Sequence, residues 1–222
     1  MEPRAWSYSA LSAFETCPRQ YFLTKVTKEV KEEESQALRW GNTAHKMLEN
    51  RVKANKPLPE TMEQHEPLIA KLVKLPGEIK PEWKLAFTRE MKLTDFFAKD
   101  VWLRGVFDLT VIQDKKALIL DWKTGKRRPN SDQLKLFALM AFYALPKIDR
   151  VDTAFYWLNQ QTQDIEHFTR KPGALTRLWD NFLPRVSRLE QAFVNENFPA
   201  KPSGLCRGWC PCTSCPHHEG RR

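Results

Sequence analysis

An α/β fold with a mixed central sheet flanked by helices is predicted from three observations. Two apolar runs, Gly105 to Gln113 and Lys116 to Lys123, are separated by a short polar break, which is a hairpin signature. An apolar helical segment from Ser131 to Leu145 follows directly, and a further strand-like run, Arg150 to Leu158, follows that. A hairpin followed by a helical crossover puts antiparallel and parallel pairs in one sheet. An N-terminal helical part and an irregular, Cys-rich C-terminal tail complete the prediction.

In order, Ser7 to Val26 reads as helix, interrupted and restarted at Cys17-Pro18, where Pro suits a first helical position. Lys28 to Ser35 is charged and poor in apolar residues, as an exposed linker is. Leu38 to Lys53 has helical spacing, with Ala44, Met47, Leu48 and Val52 on one side. Pro57, Pro59 and Pro67 mark a loop entering a helix that ends near Pro76-Gly77. Residues 84 to 93 read as the first strand. Ser131 is a suitable cap for the crossover helix. Ile165 to Thr169 reads as a last strand and Pro172 to Val194 as a long helix. The tail from Phe198 is rich in Pro, Gly and Cys and has no helix or strand pattern.

With Asp114 and Lys115 as the hairpin loop, Gln113 faces Lys116, and counting outward sets Asp108 across from Asp121. Asp121 and Lys123 then share one face with Asp108. Opposed carboxylates repel unless a cation lies between them, and a divalent metal is the natural occupant. An Asp-x-Lys on a strand is most often a solvated face. Here it follows Ala117-Leu118-Ile119-Leu120, an unbroken apolar run typical of a strand buried on both sides. A charge pair at the end of such a strand needs a partner. The arrangement therefore predicts metal-assisted hydrolysis of a phosphodiester.

The 222 residues suffice for one sizeable core with a helical appendage, and one domain over 1–222 is expected, its catalytic core at about 84–170. Lys plus Arg number 36 against 27 acidic residues, a net charge of +9 that suits a polyanionic partner such as nucleic acid. Lys126, Arg127 and Arg128 follow the DWKTG stretch and are the expected phosphate-holding residues. No apolar run approaches membrane-spanning length, and the N-terminus lacks the apolar stretch of a secretory signal. A cytoplasmic location is expected, in a bacterial cell or a phage-infected host. There, five cysteines do not form disulfides. Cys206, Cys210, Cys212 and Cys215 crowd ten positions, and a dense thiol cluster in a reducing compartment reads as a metal or cluster site. Cys212 and Cys215 with His217 and His218 would satisfy tetrahedral zinc, Zn²⁺.

Gly105-x-x-Asp108, then Asp121-Trp122-Lys123-Thr124-Gly125, then Gln133 in the next helix together resemble the PD-(D/E)XK nuclease superfamily. The nearer likeness is to RecB-type nucleases, which include CRISPR-associated adaptation nucleases and phage exonucleases. The segment Tyr8 to Tyr21 and the Gly41-Asn42-Thr43-Ala44-His45 stretch look like the same group. The resemblance implies a restriction-endonuclease-like core. It implies that His45, Asp108, Asp121 and the backbone carbonyl of Trp122 bind Mg²⁺ or Mn²⁺. Lys123 would position the attacking water or stabilise the transition state, with Gln133 orienting it or the substrate. The family's tyrosine four residues after that glutamine is Phe137 here, and Glu90 matches an acidic position of some relatives.

Cys17-Pro18 and the tail resemble the arrangement in which one N-terminal cysteine joins three C-terminal ones around a [4Fe–4S] cluster. This implies Cys17, Cys206, Cys210 and Cys215 as ligands, with residues 198–222 packing on the Cys17 helix. Cys212 is left over, or takes the place of Cys210. The activity implied is exonucleolytic hydrolysis of single-stranded DNA or duplex ends in recombination, repair or phage replication, with a recombination or replication protein as partner. The alternatives are an endonuclease of the same superfamily, or a catalytically weak DNA-binding zinc or iron–sulfur protein on a nuclease fold.

Overall fold

The computed structural model describes residues 1–128 and 131–219. In chain order it begins with α1 (Tyr8–Thr16), α2 (Pro18–Tyr21) continued by a π-helical turn (Phe22–Val26), and α3 (Gln36–Ala54). A 3₁₀ turn (Glu60–His65) and α4 (Glu66–Leu72) lead into β1 (Glu78–Phe87), β2 (Leu103–Gln113) and β3 (Lys116–Lys123). Then come α5 (Asp132–Ala144), β4 (Arg150–Trp157), β5 (Thr162–Thr169), α6 (Ala174–Val194) and a 3₁₀ turn (Gly204–Cys206). The chain divides into two compact units, Met1–Glu34 with Asp180–Arg222, and Ser35–Trp179.

The second unit holds the sheet, in the order β1-β2-β3-β4-β5. All pairs are antiparallel except β3 with β4, which are parallel because α5 carries the chain back across the sheet. This is the mixed α/β architecture expected. Helix α5 is buried nearly all round, with eight consecutive or near-consecutive apolar residues from Leu134 to Phe142 hidden, as a helix crossing a sheet inside a core must be. On its side of the sheet, Phe137 meets Phe107 at 4.6 Å and Leu134 packs with Phe155 and Trp157. A Cβ on Gly105 would come within 2.8 Å of Met140 Cε, so glycine lets α5 approach β2 closely. Helices α3 and α4, with the 3₁₀ turn between them, supply the other layer, where Ala44, Leu48, Met62 and Ile69 pack against Leu120, Trp122 and Tyr156.

The hairpin register is Gln113↔Lys116, with Asp114 at φ 49°, a left-handed conformation that Asp tolerates. The first strand lies six residues earlier than the 84–93 predicted. Its alternation Ile79, Pro81, Trp83, Leu85, Phe87 runs straight through a proline, which is tolerated because β1 is an edge strand. Glu90 consequently lies in the connection after β1, exposed and accepting a hydrogen bond from the Thr88 hydroxyl. Ser131 precedes α5 but makes no side-chain capping bond.

The first unit joins both ends of the chain. Ser7 caps α1 by accepting from Ala10 N, and Cys17 sits extended between α1 and α2, with Pro18 opening the latter. Phe14, Tyr21, Phe193 and Phe198 form an edge-to-face aromatic cluster. Arg185 forks onto both oxygens of Glu15 at 2.7 Å. Arg19 N donates to Pro199 O, which holds the start of the tail against α2. Among the described residues no helix is long and apolar enough to cross a membrane.

Candidate active site

The β2–β3 ladder stops at Leu109↔Leu120. One step further the strands part, and Asp108 Oδ2 accepts the Trp122 N–H at 2.7 Å. A carboxylate thus replaces a backbone carbonyl as acceptor, which fixes its orientation and leaves its other oxygen facing outward. That oxygen, Oδ1, lies 3.3 Å from His45 Nδ1 on α3. Gly41, one turn before His45, faces Thr124 so closely that a Cβ would stand 3.2 Å from its hydroxyl oxygen. Glycine here brings α3 down onto the end of β3, and His45 with it.

Glu82 completes the group: one ligand-type atom each from His45, Glu82 and Asp108 lies within 4.8 Å of the others. They line a pocket of about 570 Å³ shared with Gly41, Glu49 and Lys123. Glu82 sits at φ 49° inside β1, a strained conformation for a residue without Asn- or Gly-like freedom. Burial pushes its carboxyl above the usual range, and the neighbouring charges of Asp108 and Glu49 push it further. Burial pulls the His45 imidazole down, but its hydrogen bond to Asp108 and the charges of Asp108, Asp121 and Glu82 outweigh this and hold it above its ordinary value. Hard oxygen donors crowded around an imidazole, with carboxylates that repel one another, form a donor set suited to a divalent ion.

Asp121 is 5% exposed and lies outside that group of three. Its Oδ1 accepts from Gln133 Nε2 at 2.8 Å, and Lys123 Nζ stands 2.5 Å from its Oδ2. Gln133, in the first turn of α5, also accepts from Lys123 Nζ at 2.9 Å. Glutamine and lysine thus hold each other and the carboxylate in a closed ring. Burial raises the Asp121 carboxyl to about 6; Lys123 opposes this and Asp108 adds to it. Phe137, one turn beyond Gln133, is buried against Phe107.

Not all predicted residues gather here. Lys126, Arg127 and Arg128 are exposed just beyond β3, outside the residues lining the pocket. Arg127 is forked onto Asp164 of β5, which takes up its charge. Sequence reasoning missed Glu82, which lies one residue from the Trp83↔Phe107 pair and thus beside Asp108. The available signal was the apolar alternation on either side of it, which Pro81 disguised. Replacing Glu82 with Gln is expected to weaken Mn²⁺ binding by at least about tenfold, the lower end of what even outer-sphere partners contribute. Isothermal titration of the two proteins checks this; equal affinities would remove Glu82 from the ligand set.

The five cysteines all lie in the first unit, where Cys17, Cys206, Cys210, Cys212 and Cys215 line one small cavity. Cys17 Sγ receives the Lys201 N–H and Cys206 Sγ the Ser203 N–H, both at 3.5 Å. Cys212 is fully buried, and burial, then the nearness of Cys210, pushes its thiol up to about 12. Among the described residues no three thiols lie within 4.8 Å of one another.

The profile of the PD-(D/E)XK nuclease superfamily matches residues 5–219. An exonuclease candidate from Eubacterium rectale superposes with a TM-score of 0.50 at 15% identity, covering 98% of this chain and 89% of that one. The protein SSO0001 gives a TM-score of 0.49 at 12% identity, covering 98% and 88%. An alkaline exonuclease from Laribacter hongkongensis gives 0.36 at 8% identity, covering 86% and 91%. No curated protein matches by sequence.

Proposed function

This chain belongs to the PD-(D/E)XK nuclease superfamily, and from that premise we propose that it is a divalent-metal-dependent exonuclease acting on DNA. The carrying observation is the convergence of His45, Glu82 and Asp108 at the open end of the β2–β3 ladder, beside the Asp121–Lys123–Gln133 ring. His45, Asp108 and Asp121, with the Trp122 carbonyl and Glu82, would hold Mg²⁺ or Mn²⁺. An ion bound there would polarise the phosphate and lower the pKa of water. Lys123 places its ammonium beside the scissile phosphate and offsets charge that grows on its oxygens. Gln133 keeps that ammonium from swinging to solvent. Exposed Lys126 and Arg128 hold flanking phosphates. The exonuclease candidate among the structural neighbours agrees with action at ends, in recombination, repair or phage replication.

In the first unit, Cys17, Cys206, Cys210 and Cys215 would hold a [4Fe–4S] cluster. One cysteine near the start of the chain and three in the tail, lining one cavity, suit a cubane held by four thiolates. Backbone N–H donors to two of the sulfurs suit bound thiolates. Cys212, buried and held as a thiol, is the spare.

End-labelled linear single- and double-stranded DNA, beside the same sequence closed into a circle, tests the activity. Small products from linear DNA are expected with Mn²⁺ or Mg²⁺ and none with EDTA. Opening of the circle would refute the exonuclease, and intact DNA in every lane would refute the nuclease.

A further inference from the structure

The connection from β1 to β2 carries an aromatic pair that the metal site does not use. Phe96 and Phe97 meet edge to face at 5.2 Å, and Phe97 is 79% exposed. The ring of Phe96 is bracketed by two cations, Lys84 Nζ at 5.8 Å and the Arg104 guanidinium at 5.4 Å from its centroid. Lys84 is exposed, and Arg104 Nε is buried without a hydrogen-bond partner.

Their register places them beside the pocket. Lys84 is the cross-strand partner of Val106, which lines the pocket with His45 and Asp108. Arg104 is two residues beyond Val106 on the same face of β2, about 7 Å further at the rise of an antiparallel strand. Cations thus step from the carboxylates toward Phe96, and Phe97 stands at the end of the series. Residues 84–104 hold five cations (Lys84, Arg89, Lys92, Lys99, Arg104) against three acids. Two of those acids, Glu90 and Asp100, accept hydrogen bonds from Thr88 and Thr94. An exposed ring beyond a row of positive charge fits a polyanion whose units carry flat faces, and a nucleic acid strand is that.

We infer that Phe97 stacks on an unpaired base of the DNA strand running from the metal pocket, while Lys84 and Arg104 hold that strand's phosphates. The enzyme thereby engages single strands and frayed ends in preference to closed duplex. This rests on the DNA nuclease reading and narrows its substrate.

The experiment measures binding by fluorescence anisotropy in EDTA, using a labelled oligothymidylate and a hairpin duplex with a closed, blunt stem. Phe97→Ala should weaken oligothymidylate binding about tenfold, within the range for one base–aromatic stack, and change hairpin binding little. Phe97→Trp should restore it. A 2-aminopurine placed in the single strand should be quenched by the wild type and not by Phe97→Ala. Since the ring is largely exposed, its removal leaves the fold intact. Equal oligothymidylate affinity, or equal losses on both DNAs, would overturn the stacking role. If the wild type cleaves DNA while Phe97→Ala binds and cleaves like it, only this inference falls. If the wild type cleaves no DNA with any cation, the nuclease reading falls and this one with it.

Discussion

Asp121→Asn is expected to cut DNA cleavage by about 10³-fold or more, at or beyond the loss caused by removing one electrostatic stabiliser, and to raise the melting temperature of the metal-free protein at neutral pH. The two effects share one cause. Asp121 is buried at the end of β3 beside Asp108, and burial lifts its carboxyl to about 6 from an ordinary 3.8. A carboxyl whose folded pKa is raised contributes stability that is fully present below the unfolded value and is lost as pH rises through the folded one. In the metal-free protein that contribution is present near pH 4 and gone above about 6. Asn is neutral throughout and keeps the oxygen that accepts from Gln133, so it does not suffer that loss. Thermal melts in EDTA from pH 4 to 8 should therefore show the variant gaining on the wild type as pH rises. A variant that melts lower at pH 8, or that cleaves as fast as the wild type in Mn²⁺, would contradict the placement of Asp121.

How far such a site can be read from the chain depends on which contacts are local. The hairpin was legible because Asp114 and Lys115 interrupt two apolar runs, so the register, and with it the neighbourhood of Asp108 and Asp121, follows from counting. Gln133 was legible through its resemblance to a family motif, and its bonds to Asp121 and Lys123 span only twelve and ten residues. Glu82 was not, because it reaches Asp108 only through an edge strand that contains a proline and a left-handed backbone, both of which read as a break. Arg127 was read as a free phosphate contact, yet Asp164, thirty-seven residues on, lies beside it once β5 joins β4. Strand pairing over long separations leaves no local mark, so the partner of a surface charge is the least readable feature of all.

Lys123→Ala should reduce cleavage by about 10²–10³-fold while leaving Mn²⁺ binding intact. Its ammonium is held by Asp121 Oδ2 at 2.5 Å and Gln133 Oε1 at 2.9 Å, and lies 4.8 Å from the Phe155 ring centroid. Those contacts give it a fixed direction at the mouth of the pocket it lines. Without a metal, it is also the nearest positive charge to Asp121. Removing it takes away a cation that competes with the metal for that carboxylate, so metal affinity should hold or rise while activity falls. Glu82→Gln and Asp121→Asn should instead lose activity together with affinity. Titration calorimetry beside single-turnover cleavage at saturating Mn²⁺ separates the cases. If Lys123→Ala recovers full activity once metal is saturating, the lysine merely braces Asp121. If activity stays low at saturation, the ammonium acts on the phosphate itself and not merely by bracing Asp121.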